Sequence, residues 1–215
     1  VSSAFPLKNP IYDPKIYLDK SEKMQSELKV FKKPIIMFGI LGSTPQKSMP
    51  STYVIELIDH MTSKYDINIL FNYAPHQKSE AQKIYDGCKH KNAIIFDIYE
   101  DSIRGFITLM NECSLLVSNE GGAVHIAKAL KKPTFTIFSP YVLKSSWASF
   151  EDGMFHDSIH LLDEKPELFS TNRSNLKKIE ENPQYLYHQL TPKLILNKMN
   201  PFLKYHLPNE KTNLS

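Results

Sequence analysis

Leu115-Leu116-Val117-Ser118-Asn119-Glu120-Gly121-Gly122-Ala123-Val124-His125 is the stretch on which the fold turns. Three consecutive apolar residues bounded by turn residues read as a strand buried on both faces, and the two glycines open a helix directly after it. That junction leaves backbone N–H groups unpaired at a helix start, where the dipole favours an anion and the absence of side chains permits close approach. The same residues also suit a plain tight turn with His125 satisfied one turn into the helix, and spacing alone leaves both readings open.

The pattern repeats outward in both directions. Upstream, Asp101 can cap a helix whose inner face is Ile103, Phe106, Ile107 and Met110. Before it, Ala93–Phe96 and Ile67–Phe71 read as strands separated by a helix carrying Ala81, Ile84, Tyr85 and Cys88. Val54, Leu57, Ile58 and Met61 define another helix opened by Pro50 and Ser51, and the apolar run 35–41 is a further buried strand. Asp19-Lys20-Ser21-Glu22 resembles a capping box, with Met24, Leu28 and Phe31 following on one helical face. Downstream come a helix over 123–131 and a strand at 134–138. Strands alternating with helices imply right-handed crossovers, so residues 34–140 are expected to form an α/β, Rossmann-like domain with a parallel sheet and helices on both faces. Residues 1–33 read as a hinge segment and lead-in helix. Residues 141–215 read as an irregular stretch followed by a helix opened by Thr191 and Pro192, with the final ten residues frayed.

Composition sets limits on function. The 215 residues carry 26 basic and 23 acidic side chains, and the net charge of +3 is too small and dispersed for a nucleic-acid footprint. No apolar run approaches the roughly 20 residues that span a bilayer. The chain opens Val-Ser-Ser-Ala without an initiator Met or a basic-then-apolar leader, so the expectation is a remainder of something longer and not a secretory precursor. Cys88 and Cys113 read as buried thiols in a reducing, cytoplasmic setting. The eight histidines are scattered, and the pair His156 and His160 lacks an acidic ligand nearby, so no metal site is expected. Lys177-Lys178-Ile179-Glu180-Glu181 reads as a solvated face, and Trp147 as a packing anchor with a sugar platform as the alternative.

In a doubly wound sheet ligands bind beyond the carboxyl ends of the strands, which directs attention to four loops. Gly42-Ser43-Thr44-Pro45-Gln46-Lys47 offers hydroxyls and one Lys, without the Gly-Lys-Ser/Thr ending of a Walker loop. If strand order brings it beside 118–125, the two form a diphosphate clamp. Asn72–Gln77 can supply ribose or base contacts or be a polar turn. At Ile98–Ser102 a cap explains Asp101, and a nucleobase ledge is the sharper alternative.

Taken in order, Gly42-Ser43-Thr44-x-x-Lys47-x-x-Pro50, Ala74-Pro75-His76-Gln77, Asp101-Ser102-Ile103 and Val117-Ser118-Asn119-Glu120-Gly121-Gly122-x-x-His125-Ile126-Ala127-Lys128-Ala129-Leu130 resemble glycosyltransferase family 9, the ADP-heptose:lipopolysaccharide heptosyltransferases. The likeness continues through Phe138-Ser139-Pro140, Trp147 and Leu190-Thr191-Pro192, and covers the carboxyl half of a family member. The resemblance implies the C-terminal domain of an inverting, metal-independent GT-B enzyme that holds an ADP-sugar, with no cofactor. It implies donor-binding roles for Gly42, Ser43, Lys47, Gln77, Asp101, Ser102, Glu120, Gly121, Gly122 and His125. It also implies a lipopolysaccharide-type acceptor, a general base in an N-terminal acceptor domain outside this sequence, and peripheral membrane association through that half. Gln77 stands where the family commonly has a ribose-binding Glu, Glu120 where it has Asp, and Met49 where it has Trp. A noncatalytic nucleotide-sugar-binding module is the alternative. A flavodoxin-like signalling domain is disfavoured because no strand end clusters acidic residues.

Overall fold

The computed structural model describes residues 13–19, 22, 27–44, 47–170, 173–182 and 184–207. Six parallel strands form one sheet: β1 (Ile35–Gly39), β2 (Asn68–Asn72), β3 (Ile94–Ile95), β4 (Leu115–Asn119), β5 (Thr134–Ile137) and β6 (His156–Ile159). Their spatial order is β3-β2-β1-β4-β5-β6. The connecting helices are α1 (Ser51–Lys64), α2 (Lys78–Gly87), α3 (Ile103–Glu112) and α4 (Gly122–Ala129). After β6 come α5 (Leu161–Glu164), α6 (Arg173–Glu181), α7 (Tyr185–Gln189) and α8 (Pro192–His206).

Period 2 divides β1 between two cores. Ile36 and Phe38 join the larger cluster with Val54, Leu57, Ile58 and Met61 of α1 and Ile195, Met199 and Phe202 of α8. Ile35 and Met37 join the other with Leu109 and Met110 of α3 and Val124 and Ala127 of α4. With both faces covered, continuous apolar runs are what the strands require. Because the chain builds outward from β1 to β3 and then returns to lay β4 on the other side of β1, a crevice opens between the carboxyl ends of β1 and β4.

Helix starts follow the expected chemistry with one correction. The Thr191 hydroxyl accepts from Leu194 N–H and Pro192 occupies the first turn of α8. At α3 the cap is Ser102, whose Oγ accepts from Gly105 N–H at 2.9 Å, and not Asp101. The Asp19–Glu22 capping box forms, each carboxylate accepting the other residue's N–H at 2.8 Å. Further along, Glu27–Val30 forms a 3-10 turn that buries Leu28. Met24 and the final residues 208–215 lie outside the described residues.

The stretch read as irregular carries β6, which pairs with β5 from Thr134↔His156 to Ile137↔Ile159. Its sequence, His-Asp-Ser-Ile, has no apolar period, so nothing local announced a strand. Polar partners supplied by the fold make it one. One Asp152 oxygen accepts from the N–H groups of Met154, Phe155 and His156, Ser158 Oγ donates to Glu151 at 2.6 Å, and His156 Nδ1 meets Thr134 Oγ1 at 3.0 Å. His160 accepts from Leu162 N–H through Nδ1, and its Nε2 meets the Val142 carbonyl. Both histidines of the pair therefore have structural partners.

Burial, with the Lys128 charge second, pulls the His156 pKa down to about 4. The unfolded chain binds this proton from about pH 6.5 and the folded chain does not, so stability is full above that value and falls as pH drops toward 4. We expect a loss of about 3 kcal/mol across that window, read from urea midpoints, and a flatter profile for His156→Gln. Identical profiles for the two chains would remove His156 from the account.

Cys88 and Cys113 are free, buried thiols. Among the described residues no helix is long and apolar enough to cross a membrane.

Candidate active site

The β1–β4 crevice is a cleft of about 380 Å³. Gly39, Gly42, Ser43, Asn72, Gln77, Asn119, Glu120, Gly121 and Gly122 face it, so the loops after β1, β2 and β4 meet there. Two glycines are required by packing. A Cβ on Gly39 would overlap the Ser118 side chain of the neighbouring strand, and one on Gly42 would overlap the Lys47 carbonyl across the loop. Gly121 has φ 150° and ψ −169°, a conformation that only glycine adopts freely. Gly122 carries neither constraint: a Cβ there, as at Gly121, has no described atom within 4 Å and would project into open space, and its φ is not positive.

The loop after β1 is closed by its own hydrogen bonds. Gly42 N–H donates to Ser48 Oγ at 2.9 Å, Ser48 Oγ donates to the Thr44 carbonyl, and Lys47 N–H donates to that carbonyl at 3.0 Å. Neighbouring loops fasten it. Asn119 Nδ2 donates to the Lys47 carbonyl at 2.9 Å, and Gln77 Nε2 donates to the Gly42 carbonyl at 2.7 Å. Gln77 Oε1 meanwhile accepts from Ala74 N–H. Gln77 thus stands in the cleft where ribose contacts were expected, but its Nε2 already ties its loop to the loop after β1 and its Oε1 is engaged within its own loop.

Glu120 takes one oxygen to the Ser139 N–H at 2.9 Å and so locks the end of β5 against the glycine turn. Burial raises its pKa, opposed by the Ser139 and Glu120 backbone N–H groups and by the Lys47 charge. Lys47 stands outside the lining of the cleft, although its charge reaches Glu120. His125 is also outside that lining. Its ring stacks on Trp147 at 6.1 Å between centroids, and burial followed by the Lys128 charge lowers its pKa. Trp147 remains 38% exposed, so it packs one face only.

Asp101 and Ser102 line an adjoining cavity of about 280 Å³ between β2 and α3, walled by Met37, Leu70, Phe71, Ile98, Tyr99 and Phe106. Asn72 lines both spaces. The arrangement provides an apolar slot beside an amide-rich cleft, which suits a planar base joined to an anion. Of the expected residues, the structure brings Gly42, Ser43, Gln77, Glu120, Gly121 and Gly122 into the cleft and Asp101 and Ser102 into the slot, and leaves the side chains of Lys47 and His125 at the periphery. Two contributors were missed. Asn119 lay in the glycine loop but drew no role, and Tyr187, whose O–H donates to the Lys47 carbonyl at 2.7 Å, carried no local signal at all.

The family model for glycosyltransferase family 9 (heptosyltransferase) matches residues 3–145. No curated protein matches the chain in sequence. Among solved structures, the family 9 glycosyl transferase of Veillonella parvula is similar at 14% identity and a TM-score of 0.67, over 88% of this chain and 53% of that one. ADP-heptose lps heptosyltransferase II of E. coli is similar at 17% identity and 0.64, over 92% and 56%. E. coli heptosyltransferase WaaC, solved with ADP, is similar at 14% identity and 0.58, over 95% and 54%. At such identities the likeness is one of fold, and the chain spans about half the length of these structures.

Proposed function

The chain belongs to glycosyltransferase family 9 (heptosyltransferase), and from that membership we propose that it is the donor-binding half of an enzyme transferring a sugar from an ADP-sugar to a lipopolysaccharide-type acceptor. The observation that carries the reading is Gly121-Gly122 at the start of α4, open toward the cleft at the crevice between β1 and β4. Backbone N–H groups and the helix dipole there suit a diphosphate, with adenine in the Asp101/Ser102 slot.

In an inverting transfer the bond from the anomeric carbon to the diphosphate oxygen breaks as the acceptor hydroxyl attacks from the opposite side. Negative charge then grows on the departing nucleoside diphosphate. Preorganised donors strengthen their hold as that charge develops, and this lowers the barrier more than uniform binding of substrate can. The Gly121 and Gly122 amides, Ser43 and the Lys47 ammonium are assigned that task, with no metal ion. Glu120, whose pKa is raised by its burial, is assigned to the sugar hydroxyls. The acceptor site and the base that deprotonates its hydroxyl are assigned to the rest of a family-length protein, which leaves residues 1–215 able to bind donor without turning it over.

Calorimetry tests the reading. ADP is expected to bind with and without EDTA, more tightly than UDP or GDP. Lys47→Ala should weaken it by about 1–3 kcal/mol, the range for losing a charge-assisted hydrogen bond. Binding that vanishes on chelation would overturn the metal-free assignment, and a preference for UDP or GDP would overturn the adenine one.

A further inference from the structure

We infer that Tyr187 is a positioning residue for the loop after β1: from α7, its hydroxyl sets the backbone from which Lys47 is presented to the donor diphosphate. The inference rests on the donor reading above. It lies outside residues 3–145, the part matched by the family model.

Tyr187 is fully buried, with 0% of its surface exposed. A buried phenol needs a partner for its O–H, whereas Phe would fill the same space with no such requirement. The Ser139 side chain hydrogen-bonds the phenol, whose O–H donates to the Lys47 carbonyl at 2.7 Å. Asn119 Nδ2 donates to the same oxygen at 2.9 Å, so both of its lone pairs are occupied, one from β4 and one from α7. The Lys47 N–H is held by Thr44, and Gly42 packs so closely beneath the carbonyl that no side chain fits between. Both the N–H and the carbonyl of Lys47 are therefore held, and its side chain leaves from an anchored Cα. For a flexible Lys, a fixed root reduces the ordering needed when the ammonium meets an anion.

The rest of α7 supports the arrangement without sharing in it. Leu186 N–H donates to Tyr141 Oη at 3.3 Å, and Tyr53 O–H donates to the His188 carbonyl at 3.3 Å. Tyr53 thus anchors the same helix by the same chemistry, but its hydroxyl is spent on the His188 carbonyl and not on that of Lys47, which makes Tyr53→Phe the control for simple loosening of α7.

The test uses Tyr187→Phe and Tyr53→Phe in the full 215-residue chain, with ADP and adenosine as probes. Tyr187→Phe should raise the ADP dissociation constant about three- to tenfold, the reach of one net hydrogen bond. It should leave adenosine within about twofold, because the nucleoside does not use the phosphate loop. Tyr53→Phe should change neither. Hydrogen exchange on the ligand-free protein should show faster exchange at the Gly42 and Lys47 amides in Tyr187→Phe alone. Equal weakening of ADP and adenosine, or unchanged loop exchange, overturns the inference. Failure of the wild-type chain to bind ADP would instead overturn the donor reading, and the exchange arm would still decide whether Tyr187 sets the loop.

Discussion

Gly122→Val is expected to leave the chain folded and to abolish binding of a nucleoside diphosphate. Gly122 is the first residue of α4, and the space where its Cβ would stand is empty of described atoms out to 4 Å. The protein itself therefore has no steric reason to reject a side chain, and Val is a better helix residue than Gly by a few tenths of a kcal/mol. The ligand does have a reason. An anion bound by the amides of a helix start must come within about 3 Å of their nitrogens, and an isopropyl group there takes that volume. Affinity should fall by more than about 100-fold, or roughly 3 kcal/mol, while the melting temperature stays within a few degrees of wild type. Gly42→Val is the contrast, because its side chain would collide with the Lys47 carbonyl and disrupt the loop itself. ADP binding by Gly122→Val within threefold of wild type would place the diphosphate elsewhere.

The second large effect concerns stability. Lys128, on the last turn of α4, is 1% exposed, with Nζ donating to the Ser149 carbonyl at 2.6 Å and lying 3.9 Å from Glu151. Glu151 in turn accepts from Ser158 of β6, so Lys128 fastens the segment before β6 across the sheet edge. Lys128→Ala leaves a cavity, an unpaired carbonyl and an uncompensated carboxylate, and is expected to remove about 3–5 kcal/mol. That is a large part of the 5–15 kcal/mol available to a domain of this kind. Lys128→Met should lose less, because it keeps the volume and removes the charge. Burial lowers the Lys128 pKa, with Glu151 and Asp152 opposing. The unfolded chain then holds the proton to higher pH than the folded one, so wild-type stability should gain from Lys128 as pH rises toward 10.5, and Lys128→Met should lack that gain. Urea unfolding measures both effects, and a loss below about 1 kcal/mol for Lys128→Ala would mean that the ammonium carries no weight.

How much was legible depended on whether the signal was local. The continuous apolar runs 35–41 and 115–117 announced doubly covered strands, which the fold forms over 35–39 and 115–119, because the hydrophobic effect acts on each residue separately and a local run reports it. The glycine junction was legible for a similar reason, since a strand turning into a helix within two residues needs a backbone that other residues resist. Ser102 displaced Asp101 as a cap because which of two adjacent oxygens reaches an N–H depends on dihedral angles that composition does not carry.

Three features needed the tertiary structure. β6 has no apolar period and exists because Asp152, Glu151 and Thr134 are folded against it. Gln77 was read from its place in a loop, yet its working partners are Gly42, 35 residues away, and Ala74. Tyr187 reaches Lys47 across 140 residues. By itself the sequence determined the alternation of strands and helices and the glycine turn, because propensity, burial and backbone freedom are properties of short segments. The fold decided which loops meet and which hydrogen bonds fasten them, because a directional bond is made only where the packing of distant segments brings donor and acceptor within about 3 Å.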